Sequence, residues 1–340
     1  MPLSILNRSG NLATWRVLAG GLSLLLACHH DQQTTGWTDT SPHRGRFVAV
    51  APGVTLEVLD WGGSGTPLVF LSGLQDVAHG FDDFAPRFAD HFHVLAITRR
   101  GYGASSQTPS GYDLATRVTD LRAVLDSLHL TRVALVGHSI AGDELTAFAA
   151  AFPDRVSHLV YLDAAYDHSA VGILMREYPS LPPMLAADSA SPKAVQAYTL
   201  RTYGTLIPEA QLRAIGHYDS SDRLTANVTP DWVDSQMLQG CGQPDYKAVH
   251  TPALVIDAVV DSASQVFPSF AHLDSTTQLV AIRFTRTAQR WQAAEREKVR
   301  RELAGAQLVE LHGANHYVFY SNPEEVTAAM RTFLAGASGQ

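Results

Sequence analysis

The sequence predicts an α/β fold with a mostly parallel sheet of eight strands and helices on both faces of the sheet. Three observations favour this class. Apolar strand-like runs alternate with helix-period segments from residue 47 onward. The later runs are continuously apolar, as expected of strands that are covered on both faces. The 340 residues are 46% hydrophobic and 17% charged, which is enough apolar material for a large core.

Eight runs are predicted to form strands, and they lie at residues 47–50, 54–61, 67–72, 92–98, 132–137, 158–164, 253–259 and 307–313. Apolar residues repeat at intervals of three and four between 114 and 128, which predicts a helix with one face on the sheet. Asn322, Pro323 and Glu325 have the types expected at the N-cap, the first helical position and the capping box of a last helix.

The alternation is interrupted between residues 166 and 249, where prolines and short helical patterns replace long strands. This stretch predicts a helical cap inserted after the sixth strand, so that residues 47–165 and 250–340 form the core. A second helical segment, 283–303, is dense in charge and is expected to lie on the surface as an insertion.

The N-terminal residues have a different character. Arg8 and Arg16 precede an 11-residue apolar run at 17–27, which is too short to span a bilayer and is typical of a secretory signal. The run ends in "LLAC", which resembles the lipobox of bacterial lipoproteins. The resemblance implies a signal peptide at 1–27, lipidation of Cys28, a flexible tether at 28–46 and a membrane-anchored protein of the bacterial cell envelope. A plain signal peptide cut nearby, giving a periplasmic or secreted protein, and a buried N-terminal helix are the alternatives.

Composition and motifs exclude several classes of partner. The net charge of −8 and the absence of basic blocks argue against nucleic acid. Cys241 is expected to be a partly buried structural thiol. His91 and His93 form an isolated H-x-H with no further ligand pattern, and HExxH and P-loop motifs are absent, so no metal or organic cofactor is predicted.

A candidate nucleophile lies in "VALVGHSIAGDEL", residues 133–145. Ser139 follows an apolar strand and precedes a helix, as in the turn G-x-S-x-G, although Ala141 replaces the last glycine and Gly142 comes one position later. The helix start would direct the amide of Ile140 toward a developing oxyanion. The alternative is a serine that merely caps the helix.

Acyl transfer also needs a base, an acid that orients the base, and a second oxyanion donor. His316, in the loop after the last strand, is the predicted base, and His312 is the weaker choice. Asp261, at the end of the seventh strand, is the preferred acid, and Asp163, at the end of the sixth, is the alternative. The amide of Leu74, after Gly73, is the predicted second donor.

With these residues the chain resembles the α/β-hydrolase superfamily, in particular the serine hydrolases with a helical cap. The resemblance covers about residues 47–336 and depends on four motifs, "GHSIAG", "TRRGYGASS" at 98–106, "VVD" ending at Asp261 and "GANH" ending at His316. It implies the chain order serine, acid, histidine. Departures from the family pattern are Ala141, Ser72 before Gly73 in place of histidine, Thr98 in place of aspartate, which leaves the partner of Arg100 open, and a long gap from Asp261 to His316.

The resemblance implies hydrolysis of a small-molecule carboxylic ester through an acyl-enzyme formed on Ser139. Amide or aminopeptide hydrolysis and C–C bond hydrolysis with the same triad stay open, as does a non-catalytic ligand-binding protein of this fold. A serine at this position argues against haloalkane dehalogenases and most epoxide hydrolases, which use aspartate there.

Overall fold

The structure is a computed structural model that describes residues 37–335. The predicted signal peptide, Cys28 and the first part of the predicted tether lie outside the described residues. Ten strands are present in this part of the chain: β1 Arg44–Ala51, β2 Val54–Gly62, β3 Pro67–Leu71, β4 His93–Ile97, β5 Val133–His138, β6 Val156–Leu162, β7 Gly216–Tyr218, β8 Leu224–Asn227, β9 Ala253–Val259 and β10 Gln307–His312. Its α-helices are α1 Leu114–Ser127, α2 Ala141–Ala151, α3 Val171–Met175, α4 Pro192–Tyr203, α5 Glu209–Ile215, α6 Asp231–Gln239, α7 Ala263–Val266, α8 Ser275–Glu302, α9 Val318–Ser321 and α10 Pro323–Leu334. Among residues 37–335, no helix combines the length and the apolar character needed to cross a bilayer.

Eight strands form one sheet in the order β1-β2-β4-β3-β5-β6-β9-β10. The pairs β1–β2 and β2–β4 are antiparallel, and the other five pairs are parallel. Every residue of β5 and β9 is buried, which explains why these strands are continuously apolar apart from one or two positions. The predicted fold class, an eight-stranded and mostly parallel sheet, is therefore confirmed.

The core lies in two layers, one on each face of the sheet. Leu68 and Phe70 of β3 enter one apolar cluster, whereas Val69 and Leu71 enter the other. This alternation follows from the two-residue period of a strand. Helix α1 packs on the second layer through Val118 and its neighbours, as its spacing predicts.

Three local predictions need correction. Strand β1 begins at Arg44, inside the predicted tether, because its backbone pairs with β2 from Asp60 onward although its first side chains are exposed. Residues 37–43 also contact the body of the protein, with the Arg213 guanidinium 4.9 Å from the centre of the Trp37 ring. At α10, Asn322 does occupy the N-cap, but its side chain donates to Glu325 and caps no amide.

Two segments interrupt the strand-helix alternation. Residues between β6 and β9 form helices α3 to α6 and the hairpin β7–β8, a hairpin that the sequence did not predict. Helix α8 runs for 28 residues between β9 and β10, starting earlier than the predicted helical segment. The prediction that this helix lies on the surface is correct for one face only. On the other face Ala281, Phe284 and Ala288 form a buried stripe at helical spacing.

Helix α2 approaches the end of β6 so closely that only glycine fits at position 142. A Cβ atom built on Gly142 would lie 1.8 Å from the carbonyl oxygen of Ala164. No side-chain rearrangement can relieve a contact with backbone. The glycine displaced by one position in the sequence motif therefore has a packing role of its own.

We predict that Gly142→Ala lowers the free energy of unfolding by about 3 kcal/mol, near the upper end of the range for overpacked sites. Urea denaturation followed by circular dichroism measures this. Gly172→Ala is the matched control, since nothing lies within 4 Å of a Cβ there and alanine is the better helix former. Equal stability of the two variants would contradict the packing argument.

Candidate active site

Ser139 lies in a strained turn at the carboxyl end of β5. Its φ is 55°, in the left-handed region that a non-glycine residue rarely adopts. Two backbone hydrogen bonds hold this conformation, from the Ser139 amide to the carbonyl of Leu162 at 3.2 Å and from the Gly142 amide to the carbonyl of Ser139 at 2.9 Å. Strain of this kind is frequent at functional sites and projects the side chain away from the sheet.

Ala141 fits the turn because Gly137 leaves room for its methyl group. A Cβ on Gly137 would lie 3.0 Å from the Cβ of Ala141 and 2.7 Å from Cδ1 of Leu145. Ala141 itself is fully buried. The turn thus needs glycine at 137 and 142, and it tolerates one methyl group between them.

His316 pairs with Asp163 and not with Asp261, the acid that the sequence analysis preferred. The distance from His316 Nδ1 to Asp163 Oδ2 is 2.6 Å. Asp261 contacts His312 instead, with Oδ1 2.9 Å from its Nδ1, and both side chains are largely exposed. The preference for Asp261 is therefore corrected, and the alternative, Asp163, is the residue beside His316.

Strand register explains this outcome. In the parallel pair β9–β10, His312 lies opposite Val259, so Asp261 follows β9 beside the end of the edge strand β10. In the parallel pair β5–β6, His138 lies opposite Leu162, so the next residue of each strand is Ser139 and Asp163. The end of β6 is therefore nearer to the serine than the end of β9 is.

The Asp163 carboxylate is buried and held by several donors. Its Oδ1 accepts hydrogen bonds from the hydroxyl of Tyr166 at 2.5 Å and from the amide of Ala258 at 3.0 Å. Burial raises the pKa of Asp163 to about 6, and these two hydrogen bonds oppose the shift. Its φ of 47° is a second left-handed strain beside that of Ser139.

His316 is placed to act as a neutral base. Burial lowers the pKa of its imidazole well below the usual value, which favours the neutral form. His138 donates from Nε2 to the carbonyl of His316 at 3.0 Å and so fixes the loop that carries it. Among the described residues no hydrogen bond joins Ser139 to His316; such bonds often tighten only when substrate is bound.

The predicted oxyanion donors lie at the same cavity as Ser139. Leu74 and Ile140 both line it, and within residues 37–335 neither of their amides donates a hydrogen bond to protein atoms. Buried amides are almost always paired, so two unpaired ones at a cavity are suited to an anionic ligand atom. Gly73 is required before Leu74, because a Cβ there would lie 2.7 Å from Asp76 and 2.8 Å from His138.

A buried arginine fixes both sides of this arrangement. Arg99 donates to the carbonyls of Ser72 and Gly73 in the loop after β3, and its Nε donates to Glu144 in the first turn of α2 at 2.6 Å. Arg117 also donates to Glu144, at 3.1 Å. Glu144 therefore binds two buried arginines and, in the first turn of α2, also favours the helix dipole.

Two residues in the loop after β4, Thr98 and Arg100, have clear hydrogen-bond partners although Thr98 departs from the family pattern. Arg100 forms a two-pronged ion pair with Asp120, at 2.9 and 2.8 Å, so the partner left open by the sequence is Asp120 of α1. Thr98 donates to Glu57 at 2.7 Å and accepts from the amide of Ala78. Threonine thus connects two segments by hydrogen bonds in place of the ion pair that an aspartate would form with Arg100.

The cavity at Ser139 has a volume of about 180 Å³ and is enclosed partly by the two interrupting segments. Residues between β6 and β9 contribute Leu174 and Met175, and α8 contributes Phe284 and Trp291. The lining includes no lysine and no arginine among residues 37–335. It is therefore mainly apolar, apart from the polar groups beside Ser139.

Two buried residues at this cavity, Tyr166 and Asp76, were not predicted from the sequence. Tyr166 stabilises Asp163, and its spacing three residues after a strand-end aspartate was the available signal. Asp76 accepts from Gln211 at 2.8 Å and from the hydroxyl of Tyr317 at 3.1 Å, and burial raises its pKa to about 7. No local pattern marked Asp76, because its partners come from distant segments.

Cys241 is partly buried as predicted, and burial raises the pKa of its thiol to about 12.

These features of fold and turn agree with the comparison with protein families. The model of the alpha/beta hydrolase family matches residues 68–329, which is most of the chain. The protein belongs to this family. Its membership confirms the resemblance to the α/β-hydrolase superfamily drawn from the four sequence motifs.

Individual relatives are more distant. The chain is 26% identical over 286 residues to 2-(acetamidomethylene)succinate hydrolase of Mesorhizobium japonicum, which covers 83% of this chain and 92% of the relative. It is 40% identical over 106 residues to a putative non-heme haloperoxidase of Mycobacterium phage D29, a match that spans only 37% of the phage protein and 30% of this chain. A crystal structure of E-2-(acetamidomethylene)succinate hydrolase superposes with a TM-score of 0.66 at 21% identity, covering 86% of this chain and 99% of that one. The structural similarity supports the fold.

Proposed function

We propose that this α/β hydrolase is a serine hydrolase that cleaves carboxylic esters through an acyl-enzyme. The observation that carries the proposal is that Ser139, in its strained turn, and the His316–Asp163 pair line the same cavity. A ligand-binding protein would have no need for a neutral imidazole held by a buried carboxylate beside a strained serine.

In the proposed mechanism His316 removes the proton from Ser139 as the hydroxyl attacks the ester carbonyl. Asp163 keeps the Nδ1 proton on His316, so that Nε2 is the free acceptor, and it stabilises the imidazolium that forms. The amides of Leu74 and Ile140 stabilise the oxyanion. The imidazolium protonates the leaving alcohol, and water then hydrolyses the acyl-enzyme with His316 again acting as base.

The cavity lining indicates the class of ester. The Mesorhizobium relative acts, by its name, on a succinate, which carries two carboxylates. Here neither lysine nor arginine lines the cavity within the described residues, and the Asp163 carboxylate would repel an anionic acyl group. Leu174, Met175 and Phe284 would instead stabilise an uncharged aliphatic or aromatic group.

The direct experiment is labelling of the purified protein with a fluorophosphonate, which reacts with activated serines. We expect wild type to be labelled and to hydrolyse p-nitrophenyl butyrate, and Ser139→Ala to do neither while keeping a wild-type circular dichroism spectrum. Ser235→Ala, on an exposed part of α6, is the matched control and should retain both activities. Labelling that persists in Ser139→Ala would refute the proposal.

The two candidate acids can be separated by a pair of isosteric variants. We expect Asp163→Asn to reduce kcat for the ester by about 10³- to 10⁴-fold, because asparagine stabilises the wrong tautomer of His316. Asp261→Asn should change kcat by less than about threefold, since its partner is the exposed His312. If Asp261→Asn lowered kcat far more than Asp163→Asn does, Asp261 would be the acid that orients His316.

The apolar lining predicts a preference that depends on acyl charge. We expect kcat/KM for p-nitrophenyl butyrate to exceed that for the mono-p-nitrophenyl ester of succinic acid by at least about 100-fold, since burying an unpaired carboxylate costs several kcal/mol. Trp291→Arg adds a cation to the lining and should therefore bring the kcat/KM values of the two esters closer together. A wild-type enzyme that prefers the anionic ester would contradict the assigned substrate class.

A further inference from the structure

Four side chains with metal-binding atoms converge at a place outside the cavity of Ser139. Asp39 and His43 precede β1, and His79 and Asp82 follow β3. One atom of each residue can be chosen so that all four lie within 4.8 Å of one another, and this is the one such group of histidine and acidic side chains in residues 37–335. The two halves of the group come from segments separated by some 40 positions.

Four histidine–carboxylate separations in the cluster, which involve both oxygens of Asp82, are close to those between the ligands of a tetrahedral ion. His43 Nε2 is 3.2 Å from Asp39 Oδ2 and 3.3 Å from Asp82 Oδ1, and His79 Nδ1 is 3.6 Å from Asp39 Oδ2 and 2.9 Å from Asp82 Oδ2. Four ligands at zinc bond lengths of about 2.0 to 2.2 Å, arranged tetrahedrally, lie roughly 3.3 to 3.6 Å apart. Only the hydrogen bond between His79 and Asp82 would have to be exchanged for two bonds to the ion.

Buried polar atoms of the cluster that make no hydrogen bond are a second observation in favour of a cation site. The side chain of His43 is 9% exposed and that of Asp82 is 4% exposed. Within the described part of the chain, three of their atoms make no hydrogen bond: both ring nitrogens of His43 and Oδ1 of Asp82. Buried polar atoms without a hydrogen bond are costly and rare, and a cation between His43 Nε2 and Asp82 Oδ1 would give each of these two atoms a ligand bond.

The donor set selects the kind of ion. Two imidazoles and two carboxylates suit zinc and similar divalent transition metals, whereas calcium and magnesium prefer oxygen ligands alone. Four protein ligands leave no open position for substrate, which is typical of structural sites. Two carboxylates also neutralise the charge of one divalent cation.

We infer that Asp39, His43, His79 and Asp82 bind one Zn²⁺, which fastens the segment before β1 to the segment after β3. The carboxylate of Asp39 is already oriented, because its Oδ1 accepts from the amide of Ser41 at 2.9 Å. The His43 ring is supported edge-on by Trp61, with ring centres 5.5 Å apart. The sequence did not reveal this site, because D-x-x-x-H and H-x-x-D are unremarkable until the fold brings them together.

The test uses untagged full-length protein, freed of metal with EDTA and then titrated with Zn²⁺ or Co²⁺. We expect one equivalent of zinc per chain by mass spectrometry after dialysis, and with Co²⁺ the intense visible absorption of tetrahedral coordination. The double variant His43→Ala/Asp82→Asn should lose both signals. Asp90→Asn/His91→Ala, which changes an exposed aspartate–histidine pair, is the matched control and should keep them.

Thermal melting of each metal-free and zinc-loaded protein provides a second measurement, because a ligand that binds only the folded state raises Tm. We expect zinc to raise Tm for wild type and for the control, and to leave the double variant unchanged although its metal-free form still melts cooperatively. The inference is overturned if wild type retains no stoichiometric metal, if its Co²⁺ spectrum is octahedral, or if the double variant binds as wild type does.

Discussion

The contact between the turn after β5 and the end of β6 determines the geometry of the candidate active site. The Ser139 amide donates to the carbonyl of Leu162, and Gly142 lies against the carbonyl of Ala164. Because the two strands are parallel, both chains turn at the same edge of the sheet. Ser139 and Asp163 are thereby fixed relative to each other by backbone, each with a positive φ. His316 is then the only member of the group that must be brought in from a distant loop.

Buried charge supplies the second constraint. Arg99 is 5% exposed, and it holds two carbonyls of the loop before Leu74 together with Glu144, which follows Ile140 by one helical turn. Burying an ion pair brings little net stability, since desolvation offsets the attraction. Its effect here is positional, because a single guanidinium sets the distance between the two segments that carry the unpaired amides. A loop tied only by apolar contacts could shift by the fraction of an ångström that oxyanion stabilisation does not tolerate.

Much of this could be predicted from the sequence, and the failures have physical causes. The eight strands of the main sheet, the sheet type and the placement of Ser139 and His316 in loops depend on local patterns, and the structure agrees with these predictions. The choice between Asp261 and Asp163 depends on strand order, which a single sequence does not reveal. Helix α8 was placed on the surface because its charges dominate its composition, although one narrow apolar stripe is buried. The cluster around His43 could not be predicted, because its four members lie in two segments that are distant in sequence and meet only in the folded chain.

Two aspartates that look equivalent in the sequence, each at the end of a strand, have very different surroundings in the structure. Asp261 lies at the exposed edge, where water can solvate its charge, and its partners are the exposed His312 and the amide of Gly313. Asp163 is enclosed, and the Tyr166 hydroxyl and the Ala258 amide aim at one of its oxygens while His316 meets the other. A carboxylate that must hold an imidazole in one tautomer needs its own orientation fixed first. Donors around the acid, rather than its distance along the chain from the histidine, therefore identify which aspartate orients His316.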